Sequence, residues 1–296
     1  MSNSVKIVEC SRDAWQGLPG EMPPEVKAEY LQTLVGAGFK HIDAVSFVSP
    51  SAVPQMANSE QVLALLGAPP DVEIIGIVVN AMGAERAIET GKVHTLGFPY
   101  SVSAEFLKRN QRQTPEQALE MLRTITAMAQ KSGIHVVAYI SMAFGNPYGD
   151  PWSIKALTEA CGRLVEAGVN QLSLADTVGL ATSAQIGPIL TRVLASHLGV
   201  EVGVHLHARP NEAAAKIRAA YDAGCRRFDA ALGGLGGCPF AQDELVGNLA
   251  TETLVAELNE LGAELPTLQP LDELIRMSAE IAQKYGVSHQ KVAFAR

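Results

Sequence analysis

Five times along these 296 residues an amphipathic run closes on a small residue and a glycine, and a short β-branched run follows. The units are "LVGAGFKHIDAVSF", "AIETGKVHTLGF", "AQKSGIHVVAYI", "LVEAGVNQLSLA" and "AYDAGCRRFDAAL". A glycine at that point suits the C′ position of a helix, where φ is positive. The apolar run after it suits a buried parallel strand. Adding "VKIVEC", "VEIIGIVV" (72–79) and "EVGVHLH" gives eight candidate strands. Helical periodicity lies between them, over 25–36, 83–90, 115–131, 153–167, 183–197 and 211–222. Eight strands alternating with helices predict an α/β chain folded as a closed (β/α)8 TIM barrel, rather than an open doubly wound sheet. No GxGxxG follows the first strand, which argues against a dinucleotide site. Residues 251–262 and 271–285 read as two further helices. One domain over 1–296 is expected, with the barrel at about 5–240 and C-terminal helices at about 250–286.

Charge and cysteine usage narrow the function. The net charge is −8, and the 23 Lys and Arg form no run that tracks a phosphate backbone, so nucleic acid is excluded as a partner. No apolar stretch reaches the ~18 residues of a membrane span. The N-terminal "MSNSVKIVEC" enters a strand pattern directly, without a leader or cleavage site. Four cysteines without a CxxC make no disulfide framework, and a cytoplasmic protein with reduced thiols is expected.

In a TIM barrel the functional face is the C-terminal one, built from strand ends and the loops after them. That rule sorts the polar residues. The first strand places Glu9, Arg12, Asp13 and Gln16 there, the second Asp43, and the sixth Asp176. The seventh supplies His205 and His207, which share a face because strand side chains repeat every two residues. The eighth leads to Cys238 and Asn248 in "GGLGGCPFAQDELVGN". Closure sets the first and seventh strands two apart, so Asp13 can meet both histidines. Two imidazoles with a carboxylate and an amide oxygen fit Mg²⁺, Mn²⁺, Fe²⁺ or Zn²⁺. Two core histidines bonded to backbone are the alternative. Arg12 beside Asp13 is either a surface ion pair or an anion-binding group. Cys238 stands apart from Cys10, Cys161 and Cys225, which lie in strand or helix patterns. Asp176 either holds a ligand or caps the next helix. Lys108, Arg109 and Arg112 in "FLKRNQRQTPEQ" read as a solvated basic loop capped by Thr114, with phosphate contact as the alternative.

The blocks "SRDAWQ", "SFVSPSAVPQM", "FGNPYGDP", "SLADTVG", "HLH" and "GGLGGCPFAQDELVGNLATETL" span about 9–254. With them the chain resembles the hydroxymethylglutaryl-CoA lyase family, within the metal-dependent barrels that include isopropylmalate and homocitrate synthases. The resemblance implies a divalent metal, Mg²⁺ or Mn²⁺, held by Asp13, His205, His207 and Asn248. It also implies Arg12 at the substrate's thioester carbonyl, Gln16 beside it, and Cys238 as a catalytic cysteine on a mobile loop. Asp43, Asp176 and Glu252 are then supporting residues. An acyl-CoA substrate, a role in leucine degradation and a homodimer follow from the same resemblance.

Three departures bear on the substrate. The family's "RDGLQNE" is here "RDAWQGL", Asp43 stands where glutamate is common, and Ala208 follows the second histidine where aspartate is expected. Trp15 is expected to border the pocket and to alter the acyl tail that fits. The competing readings are a lyase for a longer or branched analogue, a Claisen-type synthase, and a silent metal- or CoA-binding barrel. The lyase-like "GGLGGCPF" argues against the synthase.

Overall fold

The computed structural model describes residues 3–67, 69–236 and 246–286. Eight parallel strands close in sequence order: β1 (Lys6–Glu9), β2 (His41–Ser46), β3 (Glu73–Ile77), β4 (Thr95–Ser101), β5 (His135–Ser141), β6 (Gln171–Ala175), β7 (Glu201–His205) and β8 (Arg227–Ala230). β8 pairs with β1 from Lys6↔Arg227 to Glu9↔Ala230, which shuts the ring. The TIM barrel expected from the strand–helix rhythm is the observed fold.

Among the described residues there are eleven α-helices. α1 (Ser11–Gln16), α2 (Pro24–Gly36), α3 (Ser59–Leu65), α4 (Ala81–Glu89), α5 (Ala104–Gln111) and α6 (Pro115–Lys131) belong to the first half. α7 (Ile154–Glu166), α8 (Ser183–Ser196), α9 (Pro210–Asp222), α10 (Thr251–Glu260) and α11 (Asp272–Tyr285) complete the molecule. Gly38 and Gly168, which follow α2 and α7, both have φ of +101°, the left-handed conformation that the helix–glycine–strand units require. α10 packs on α9, and α11 packs on α2 and the turn Leu232–Gly234.

Apolar side chains on the outer faces of the strands meet the helices in one large core. Inside the ring a small cluster of Val8, Cys10, Ile75, Ile77, Val137 and Tyr139 fills the middle. The N-terminal end of the interior is ionic: Lys6 meets Glu73 at 2.8 Å and Glu201 at 3.2 Å, and His41 meets Glu73 at 2.7 Å.

The basic stretch at 106–117 differs from its expectation as a loop. Lys108 and Arg109 lie in α5, where Arg109 pairs with Glu105 at 2.6 Å and stacks 4.7 Å over the Tyr148 ring. Arg112 ends that helix in a left-handed conformation, with φ of 55°. Thr114 caps α6 as expected, in a reciprocal capping box with Gln117.

Candidate active site

β1 stops at Glu9 and α1 starts at Ser11, so Arg12, Asp13 and Gln16 fall within one turn above the barrel. Spacings of three and four residues put their side chains together. Arg12 Nη1 donates to Asp13 Oδ1 at 3.1 Å and to Gln16 Oε1 at 2.9 Å, and Gln16 Nε2 donates to Asp13 Oδ1 at 2.8 Å. The rest of the guanidinium forks onto Asp43, with Nε donating to Oδ1 at 3.0 Å and Nη2 to Oδ2. Bidentate pairing of this kind fixes the plane of the arginine as well as its position. Burial disfavours the Arg12 charge, but Asp43 and then Asp13 outweigh it and raise the guanidinium above its ordinary value.

Across the mouth, His205 and His207 stand with ring centroids 5.3 Å apart. His207 Nδ1 lies 3.1 Å from the Thr177 carbonyl. A carbonyl only accepts, so Nδ1 carries the proton and Nε2 keeps its lone pair. That Nε2 is buried without a hydrogen-bond partner. His205 Nε2 is 3.9 Å from Asp13 Oδ2, and its Nδ1 is 3.6 Å from Asp229 Oδ2. Asp13, His205 and His207 each offer a ligand atom, and these lie within 4.8 Å of one another. Asn248 Nδ2 donates to Asp13 Oδ2 at 2.9 Å and to the Leu235 carbonyl at 2.8 Å, so its nitrogen, not its oxygen, faces Asp13 here.

The protonation states suit a cation. Burial raises Asp13, but Arg12, then His205 and His207, and the Asn248 bond bring it down to about 2. Burial and the neighbouring His205 lower His207 to about 4. Metal ligands must be a carboxylate and neutral imidazoles. His205 is the exception: burial lowers it, yet the facing Asp229 and Asp13 carboxylates hold it above the ordinary histidine value. An orphaned Nε2, a mixed N/O donor set and a poised carboxylate fit a borderline-to-hard divalent ion. Cys10, His205 and Asp229 also converge. Burial and then Asp229 and Asp43 push the Cys10 thiol well above its ordinary range.

Two residues at this face escaped the sequence reading. Asp229 stands opposite His205 in the β7–β8 register and accepts from Ser173 Oγ at 2.7 Å. Burial raises its carboxyl, but Arg227 and then His205 bring it below the ordinary value. A lone acid inside the apolar strand "RFDAAL" was the available signal. Lys216, buried on α9, donates to Asp176 at 3.2 Å and to the His207 carbonyl at 2.8 Å. Asp176 also accepts from the Ala181 amide at 3.0 Å, so it ties the β6 loop to the backbone beneath His207.

Glu9 and Glu252 do not line the cavity. Glu9 accepts from the Leu232 amide at 2.9 Å and from Thr251 Oγ1 at 2.6 Å, and Glu252 accepts from the Gly233 amide at 3.1 Å. Both carboxyls hold the chain leaving β8. Gly236, with φ of +91°, packs over the Asp13 turn so closely that a Cβ would lie 2.7 Å from Asn248 Nδ2 and 2.9 Å from Ala14 Cα. Cys238 lies outside the described residues.

A cavity of about 200 Å³ opens beside Arg12, Asp13, His205 and His207, walled by Ile77, Phe106 and Tyr139. Trp15 is not part of it. The indole is 1% exposed and packs edge-on against Tyr30 with centroids 5.4 Å apart, because α1 turns that side chain into the outer core. The expectation that Trp15 borders the pocket is therefore corrected. Ala208 is buried, and its amide donates to the Gly247 carbonyl at 3.1 Å.

The class is thus a TIM barrel with a cation-competent donor triad beside a clamped arginine at its C-terminal face. Within that class, the chain belongs to the HMGL-like family, whose model matches residues 4–281. The cytoplasmic 3-hydroxy-3-methylglutaryl-CoA lyase of Danio rerio is 34% identical over 261 residues, 88% of this chain and 77% of that protein. The (R)-citramalyl-CoA lyase of Chloroflexus aurantiacus is 33% identical over 297 residues, 96% of this chain and 92% of its own. The structure of an HMG-CoA lyase from Acinetobacter baumannii in complex with coenzyme A and 3-methylmalate is similar too. It superposes with a TM-score of 0.88 at 31% identity, covering 100% of this chain and 96% of that one.

Proposed function

We propose that this chain is a divalent-metal-dependent carbon–carbon lyase acting on 3-hydroxy-3-methylglutaryl-CoA or a close 3-hydroxyacyl-CoA analogue. The products are acetyl-CoA and a 3-oxo acid, acetoacetate for the parent substrate. The observation that carries this reading is Asp13, which on one turn of α1 touches Arg12 and on its other side faces His205. A retro-Claisen cleavage needs that pairing. The tertiary hydroxyl loses its proton, its oxygen becomes a carbonyl, the C2–C3 bond breaks, and the electron pair moves onto the thioester enolate.

Asp13, His205 and His207 would hold Mg²⁺ or Mn²⁺, with Asn248 joining once its amide presents oxygen. When bound, the ion supplies Lewis acidity that acidifies the substrate hydroxyl. Asp13 accepts the hydroxyl proton; a carboxylate near pKa 2 is a weak base, so it needs an acidified partner. Arg12, held flat by Asp43, meets the enolate oxygen as charge develops there. Gln16 keeps Arg12 and Asp13 in register. Cys238 returns a proton to C2 of the departing enolate. The unit is one catalytic domain; its four cysteines without a CxxC support a cytoplasmic location, and the family resemblance supports a homodimer.

A second acyl group deserves equal trial, because the citramalyl-CoA lyase matches this chain about as well as the zebrafish enzyme does. The decisive assay incubates metal-stripped and Mg²⁺- or Mn²⁺-loaded protein with both thioesters and follows acetyl-CoA release. Cleavage that disappears on stripping and returns with the ion is expected, and the co-product identifies the acyl tail. Equal turnover by exhaustively stripped protein would sink the metal-dependent reading.

A further inference from the structure

Below the site, the barrel interior holds a second guanidinium for which the cleavage reaction has no use. Arg227 on β8 is 1% exposed. It precedes Asp229 by two residues, so both side chains enter the barrel on the same face. Gly203 on β7 makes the room: a Cβ there would lie 2.7 Å from Arg227 Cγ and 2.8 Å from the Arg227 carbonyl oxygen. Arg227 Nη2 stands 3.4 Å from Asp229 Oδ1, and its Nε stands 3.4 Å from Glu201 Oε1. Neither contact has hydrogen-bond geometry, and the three guanidinium nitrogens have no hydrogen-bond partner. Asp229 uses its other oxygen, Oδ2, toward Ser173 Oγ at 2.7 Å and His205 Nδ1 at 3.6 Å. One carboxylate thus joins a cation on its lower side to an imidazole on its upper side. A buried ion pair is a poor source of stability, since apolar side chains of the same volume often do as well. The arginine needs another reason to be there.

We propose that Arg227 is a positioning residue for the cation site: it anchors Asp229 through Oδ1, so that Oδ2 holds the His205 ring with Nε2 turned toward Asp13. The inference rests on the divalent-cation reading of the site. Without Arg227 the Asp229 carboxylate keeps only the Ser173 bond on Oδ2, and the plane in which it faces His205 is less firmly set. Carboxylates behind metal-bound histidines typically matter by about 10–100-fold in metal affinity. Arg227 acts one contact further away, so its effect is smaller.

Calorimetric titration of metal-stripped protein with Mn²⁺ reads this directly, without turnover. Asp229→Asn is expected to weaken Mn²⁺ binding by roughly 10–100-fold, and Arg227→Met by about three- to tenfold. The double variant should bind no more weakly than Asp229→Asn alone, because Arg227 works through Asp229. Arg227→Lys, which keeps the charge without the fork, should fall between Arg227→Met and the unaltered protein. A purely structural arginine would lower the melting temperature and leave the Mn²⁺ affinity unchanged, and that result overturns the proposal. Additive losses in the double variant overturn it as well. Should Arg227→Met fail to fold, Arg227→Lys decides: weakened binding supports the role and unchanged binding overturns it. Failure of the unaltered protein to bind Mn²⁺, or undiminished binding by His207→Ala, would instead bring down the cation reading itself.

Discussion

At the N-terminal mouth of the barrel, Lys6 is shared between Glu73 and Glu201, and His41 closes on Glu73. At the C-terminal mouth, His207 Nε2 is buried with no partner, and His205 stands 3.9 Å from Asp13 and 3.6 Å from Asp229. Both ends of the interior are ionic, but Lys6, His41, Glu73 and Glu201 pair among themselves, whereas the upper end leaves donors aimed into a cavity. Burying polar groups without partners is costly, and proteins tolerate it mainly where something else is to be bound. The difference separates charges that hold the barrel together from charges that wait for a ligand.

The largest effect should come from the upper mouth. Arg12→Gln removes the charge that meets the enolate, and kcat is expected to fall by about two to four orders of magnitude with a modest change in KM. It also leaves Asp43 buried without its partner, at a cost of about 3–5 kcal/mol in stability. A raised KM with unchanged kcat would make Arg12 a plain anchor. At the lower mouth the pattern should invert. Lys6→Met strips the cation from Glu73 and Glu201, whose partial exposure limits the loss to roughly 1–3 kcal/mol in chemical denaturation, while turnover at the unfolding-free temperature stays unchanged. A Lys6→Met enzyme with impaired cleavage and intact stability would erase the contrast between the two ends.

How much of this was legible follows from the range over which each feature is determined. The strands announced themselves through short β-branched runs after glycine, a local pattern with a local cause. α1, α3 and α5 span six to eight residues, too few turns for a 3.6-residue period to show. His205, His207 and Asp13 were legible because strand parity and ring closure alone bring them together. Asp229 and Arg227 were not, since which inward side chains meet inside the ring depends on register between β7 and β8. Trp15 misled for a related reason: a bulky residue next to Arg12 and Asp13 looks like a pocket wall until the helical rotation of α1 carries it to the opposite side.

A pH effect on stability, separate from turnover, concerns Glu9, a buried acid that belongs to neither mouth. Burial raises its carboxyl from 4.5 to about 8, ahead of the lowering bonds from Thr251 and Leu232. The folded protein therefore keeps a proton that the unfolded chain releases, and stability should decline as pH rises from 4.5 to about 8 and level off above it. Glu9→Gln imitates the protonated form and can still satisfy Leu232 and Thr251. Its melting temperature should match the parent below that window and exceed it above. Identical pH profiles for the two proteins would refute the assignment. Asp13 has the opposite sign: with its carboxyl lowered to about 2, its contribution is present at neutral pH and lost as pH falls through acid values.

The contrast between the two mouths is tested most directly by crystals equilibrated with Mn²⁺ and measured for anomalous scattering. A single strong peak within coordination distance of Asp13, His205 and His207, with none among Lys6, Glu73 and Glu201, is the expected result. A peak at the lower mouth, or a fully substituted soak that leaves the histidine pair bare, would contradict the division of labour on which the proposed chemistry depends.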